Sequence, residues 1–123
     1  MPITVVGGSA ADQQRVEDAA DEVIIRLWQV TAGWLRARIQ TRATTGTVIL
    51  EECEDPLLLG DNVWHHYLWG LYTSKDEEIH ICINNIGNND DLLADVMLHE
   101  WAHSCCWSHG DNHGVPGNDG APP

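Results

Sequence analysis

Asn88-Asn89-Asp90-Asp91-Leu92-Leu93-Ala94-Asp95-Val96-Met97-Leu98-His99-Glu100-Trp101-Ala102-His103 holds both a helix signal and a chemical one. It opens with Asn and Asp, whose short side chains cap the free N–H groups of a helix and whose charge suits its positive end. Leu92, Leu93, Val96 and Met97 then supply an apolar face at helical spacing. Just upstream, Glu78-Ile79-His80-Ile81-Cys82-Ile83 is rich in β-branched residues and is followed by the turn-forming Asn84-Asn85, which argues for a strand.

Further towards the N-terminus, Ile3-Thr4-Val5-Val6 is a short β-branched run ended by Gly7-Gly8, a strand entering a turn. A long helix is expected from Asp12 to about Ile39. Apolar residues fall at Val16, Ala20, Val23, Leu27, Val30 and Trp34, with Arg15, Asp18, Glu22 and Arg26 on other faces. Ser9 is its N-cap candidate, Gly33 a point where it breaks or bends, and residues 41–46 its exit. Thr47-Val48-Ile49-Leu50 reads as the next strand, and the acidic run Glu51-Glu52-Cys53-Glu54-Asp55 before Pro56 as a solvated loop. Residues 62–73 carry Trp64, Tyr67, Trp69 and Tyr72. Periodicity does not separate strand from helix there, and strand is preferred. The order strand, helix, strands, helix implies an α+β domain whose mixed β-sheet is backed by a long N-terminal helix and a second helix carrying His99 to His103.

The chain has 123 residues, 43% of them hydrophobic, which suits one domain with one core. Residues 1–113 form that unit, and the Gly/Pro-rich residues 114–123 read as a loose tail. Six Lys and Arg against 19 Asp and Glu give a formal net charge of −13. Such a charge repels phosphate backbones and anionic lipid, so neither nucleic acid nor membrane is expected as a partner. The sole lysine is Lys75. Acidity of this degree reads first as a solvated surface, with basic substrates or a salt-rich habitat as alternatives. The N-terminus lacks a basic region followed by an apolar one, and no stretch reaches the roughly 18 apolar residues of a membrane span. The sequence therefore reads as soluble with its location open, since a domain cut from a longer secreted protein would look the same.

His99-Glu100-Trp101-Ala102-His103 has the form H-E-x-x-H. On a helix, positions i and i+4 share one face, so two imidazoles one turn apart can reach a single Zn²⁺ while Glu100 stands beside it. The metal would lower the pKa of a water and Glu100 would accept its proton. A catalytic zinc takes three protein ligands and leaves one position open. His109, six residues beyond His103, is the first candidate for the third, with Asp111 and His113 as competitors. Zn²⁺ is the expected cofactor, with His99, His103 and His109 as ligands and Glu100 as the catalytic residue.

Through His99, Glu100, His103 and His109 the sequence resembles the zincin metalloproteases, and the spacing is similar to the metzincin pattern H-E-x-x-H-x-x-G-x-x-H over about eleven residues. Cys106 stands at the glycine position of that pattern, and no methionine follows His109 to form a Met-turn. A helix ending at Cys106 would require an unfavourable backbone conformation there unless the turn differs from the family's. A looser likeness is to aspzincins, including deuterolysin-like and toxin-associated peptidase domains, which would make Asp111 the ligand, although their G-T-x-x-D motif is reduced to Gly110-Asp111. The resemblance implies a small zincin-like domain that hydrolyses peptide bonds in peptide or protein substrates. It also implies that the strand before the metal helix, residues 78–83, lies at the sheet edge and pairs with extended substrate, the alternative being an ordinary interior strand.

Cys82 and either Cys105 or Cys106 are placed to form a bridge, with free buried thiols as the alternative. A thiol ligand to zinc is disfavoured because neither cysteine shares the histidines' face in a way that leaves room for water. Tyr67, Tyr72 or His113 are candidate donors to a developing oxyanion. His65, His66 and His80 read as surface or packing residues, and the six tryptophans as core or pocket wall. Two other functions fit the same residues: a non-catalytic zinc-binding or toxin-accessory module, and a zinc hydrolase acting on a non-peptide substrate.

Overall fold

The computed structural model describes residues 3–52, 70–73, 78–108, 110–111 and 113–116. The described elements are β1 (Thr4–Val6), α1 (Ala10–Arg26), a 3₁₀ turn (Leu27–Gln29), α2 (Gly33–Thr45), β2 (Thr47–Glu51), β3 (Gly70–Thr73), β4 (Glu78–Cys82), the single-turn α3 (Ile83–Ile86) and α4 (Asp90–Ser104). Together they make the expected α+β domain with a mixed sheet, in the order β1-β2-β4-β3. β1, β2 and β4 run parallel, and β3 pairs antiparallel with β4.

Capping chemistry starts α1. Ser9 Oγ accepts from the Asp12 amide at 3.1 Å while the Ser9 amide donates to Asp12 at 3.3 Å, a reciprocal box that satisfies two otherwise free donors. The helix expected to run from Asp12 to about Ile39 is two helices. α1 tightens into the 3₁₀ turn after Arg26, Val30 leaves the helical region, and α2 restarts at Gly33. The apolar spacing survives the break because Leu27, Val30 and Leu35 stay buried on both sides of it. Trp34, expected on that face, is instead 49% exposed and Trp28 is 80% exposed, so these two tryptophans lie neither in the core nor in a pocket wall.

In the sheet, the period of two puts Val48 and Leu50 of β2 beside Ile79 and Ile81 of β4, all buried. β4 lies between β2 and β3, so the strand expected at the edge is an interior strand. Among the described residues the edges are β1 and β3.

α4 packs against α1 and α2 on one side and against β3 and β4 on the other. Its apolar residues therefore surround it instead of forming one stripe, and Leu93, Ala94, Met97, Leu98, Trp101 and Ala102 are all fully buried. Asn89 caps its start by accepting the Leu92 amide at 3.0 Å. Arg15 binds Asp90 at 2.9 Å and the Gly87 carbonyl at 2.8 Å, and Arg26 binds Asp91 and Asp95 at 2.7 and 2.9 Å. These two arginines of α1 fix the N-terminal turn of α4. Among the described residues no helix is long and apolar enough to cross a membrane.

Candidate metal centre

One turn of α4 brings the imidazoles together. His99 and His103 have ring centroids 4.6 Å apart, and their Nε2 atoms stand 3.1 Å from each other. Each ring is held from behind by a backbone carbonyl. His99 Nδ1 lies 2.6 Å from the Pro116 oxygen, and His103 Nδ1 lies 3.0 Å from the Trp107 oxygen. A carbonyl can only accept, so each Nδ1 carries the hydrogen and a neutral ring presents its lone pair at Nε2. Two such lone pairs at this distance repel unless a cation or a proton lies between them. Two nitrogens bound at about 2.0–2.1 Å to one tetrahedral zinc would stand roughly 3.3 Å apart, close to the spacing found. A carbonyl behind a ligating imidazole is also the usual arrangement at metal sites.

The end of α4 explains how Trp107 reaches His103. The Cys106 amide donates to the His103 carbonyl and the Trp107 amide to the Ala102 carbonyl, both at 3.1 Å, which is a Schellman closure. That closure needs a left-handed residue, and Cys106 supplies it at φ 86°. The unfavourable conformation expected for a helix ending at Cys106 is thus the one adopted. The Trp107 ring packs 5.2 Å from His99 and 5.0 Å from His103 by centroid, and is buried as a wall of the site.

Glu100 is fully buried, and among the described residues neither of its oxygens has a hydrogen-bond partner. Burial alone pushes its carboxyl well above the usual 4.5. At 100° per residue it sits on the same arc of α4 as His99 and His103. A buried carboxyl without a partner is costly in a core, so it fits a place beside an ion and water better than a packing role.

The other candidates divide clearly. His109 lies outside the described residues, as do Tyr67, His65 and His66. Among the described residues no group of three His, Cys, Asp or Glu side chains stands together, which holds for Glu100 as it does for Asp111 and His113. Asp111 is exposed and accepts the Ser108 amide at 2.8 Å. His113 faces Trp34 edge-on at 6.0 Å. His80 pairs with Glu51 across β2 and β4, a part-exposed polar contact away from the pair. Cys82 is in a disulfide, whereas Cys105 and Cys106 are free thiols. The bridge expected between Cys82 and one of that pair is therefore not formed. Burial raises the Cys105 thiol's pKa, which disfavours the thiolate a metal would need.

Sequence reasoning missed the two carbonyls, because any residue can provide one. It also assigned residues 114–116 to a loose tail, whereas Val115 is fully buried and Pro116 contacts His99. The only signal was an apolar residue directly after Gly114.

The chain matches no family model, no curated protein and no solved structure. The functional reading therefore rests on the geometry of α4 and its surroundings.

Proposed function

We propose that the chain is a zinc-dependent endopeptidase of the zincin type, with His99, His103 and His109 as the zinc ligands and Glu100 as the catalytic proton carrier. The observation that carries this is the pair of Nε2 atoms 3.1 Å apart, each ring backed by a carbonyl, on one arc of a helix with a buried carboxyl that has no partner. Zinc supplies Lewis acidity that polarises a substrate carbonyl and lowers the pKa of water. The residues do the remaining work. His99 and His103 present neutral lone pairs, and the negative end of the α4 dipole at His103 favours a cation there. Glu100 in its carboxylate form accepts a proton from the attacking water and returns it to the leaving amine, and burial raises its affinity for that proton.

Peptide is the preferred substrate class because β3 offers a backbone edge beside α4. Among the described residues β3 pairs only with β4, and α4 packs against it. An extended peptide added to that edge would be bound through its backbone, largely independent of its sequence. The net charge of −13 disfavours nucleic acid and anionic lipid as partners.

The test is zinc content by elemental mass spectrometry on wild type, His109→Ala and Asp111→Ala, together with cleavage of casein. Stoichiometric zinc lost only in His109→Ala supports the ligand set. Glu100→Gln should keep its zinc and lose about 10²–10⁴-fold in cleavage rate. Full cleavage by zinc-loaded Glu100→Gln would overturn the role given to Glu100. A second reading, a structural zinc module, is favoured by the burial of His99 at 2% and His103 at 9% exposure. Zinc without cleavage of any peptide would select it.

A further inference from the structure

The carbonyl behind His99 comes from 17 residues away, and what delivers it is a close contact between two backbone segments. After α4 the chain returns across the junction between α1 and α2. The Thr31 amide donates to the His113 carbonyl at 2.8 Å, and Val115 is fully buried. Between them Gly114 lies against Gln29 at φ 79°, where an added Cβ would stand 1.8 Å from the Gln29 oxygen and 2.9 Å from its carbonyl carbon. Those atoms are backbone and cannot swing aside. No side chain at 114 fits unless the segment moves, and Pro116 is only two residues further on.

We propose that Gly114 is a positioning residue for His99. By letting residues 113–116 close on residues 29–31, it sets the Pro116 carbonyl against Nδ1 and holds the imidazole in the tautomer that keeps Nε2 as a lone pair. The inference rests on the metal reading of this site. Releasing the clasp would remove the carbonyl that fixes the hydrogen on Nδ1 of His99, while His103 keeps the Trp107 carbonyl of its own helix end. Metal affinity is then set partly at the α1–α2 junction, by residues that never touch the metal.

The experiment compares Gly114→Ala with wild type and with Gly87→Ala. The second variant adds a side chain at φ 64° with nothing within 4 Å, so it carries backbone strain without a collision. Zinc affinity is read by competition with a chromophoric chelator, folding by near-UV circular dichroism, and the His99 tautomer by ¹⁵N NMR of metal-free protein. Gly114→Ala should remain folded, bind zinc about 10–100-fold more weakly and lose the Nδ1–H signature of His99. Gly87→Ala should lower stability yet keep zinc affinity within about twofold of wild type. Wild-type affinity in folded Gly114→Ala would overturn the proposal. If Gly114→Ala does not fold, wild-type protein decides. An Nδ1–H tautomer at His99 with a Thr31 amide protected from exchange supports the clasp, and an Nε2–H tautomer overturns it. Failure of wild type to bind zinc at all would instead sink the metal reading, and the tautomer measurement separates the two failures.

Discussion

His99 and His103 sit one turn apart on the same helix, yet their orientation is achieved in opposite ways. His103 is held locally: the chain passes Cys106 in a left-handed conformation, and the Trp107 carbonyl, four residues on, meets the ring. His99 is held remotely, by a carbonyl 17 residues away that arrives only if the C-terminal segment docks on the α1–α2 junction. A local hydrogen bond forms with the helix end itself, whereas a remote one depends on tertiary packing. The pair therefore joins one imidazole that is oriented whenever α4 is closed to one that is oriented only in the folded domain. Metal binding to both would in turn stabilise the docked segment, since a ligand that binds only the native arrangement favours it.

The comparison is broken most severely by removing a ligand. His99→Ala and His103→Ala should each abolish stoichiometric zinc, a larger loss than the about 10–100-fold expected from disturbing a partner behind a ligand. Equilibrium dialysis against zinc measures this, and retention of zinc by either variant would show that the two rings do not share an ion.

Glu100 gives the next effect, on stability. Its carboxyl is raised above the usual 4.5 in the folded state by burial, so the folded protein holds that proton more tightly than the unfolded chain. The stabilisation is fully present below pH 4.5 and is lost as the pH rises through the raised value. Metal-free Glu100→Gln should therefore gain on wild type progressively from pH 5 to pH 8, as measured by urea unfolding. An identical pH slope for the two proteins would show that Glu100 meets a compensating charge.

The smallest effect sharpens the local half of the comparison. Cys106→Gly relieves a left-handed conformation that costs an ordinary residue about 1–2 kcal/mol. After the added flexibility of glycine in the unfolded chain, it should raise stability by about 1 kcal/mol. Zinc affinity should stay as in wild type, because the Trp107 carbonyl keeps its place. Thermal denaturation with a zinc titration reads both, and a loss of stability would mean that the Cys106 side chain contributes packing of its own.

Much of this was legible in the sequence for physical reasons. Ser9 and Asn89 announce helix starts because capping depends on a side chain and the few amides after it. The strands β1, β2 and β4 follow from β-branched content, and His99, Glu100 and His103 share an arc because a helix has a fixed pitch. The left-handed turn at Cys106 was implied by the resemblance to a pattern that carries glycine at that position. The break at residues 27–32 was legible only as a glycine, because the apolar periodicity runs through it.

The sequence by itself determined the α+β class and the helix that carries His99, Glu100 and His103 on one arc, because each depends on interactions within a few positions. Only the tertiary structure decided that α4 is buried on both sides, that β4 is interior and, among the described residues, β3 an edge, that Cys82 does not bridge to Cys105 or Cys106, and that Pro116 reaches His99. Each of these is a contact between segments distant along the chain. Backbone carbonyls and strand neighbours leave no mark in residue type, so they become visible only when the packing brings them together.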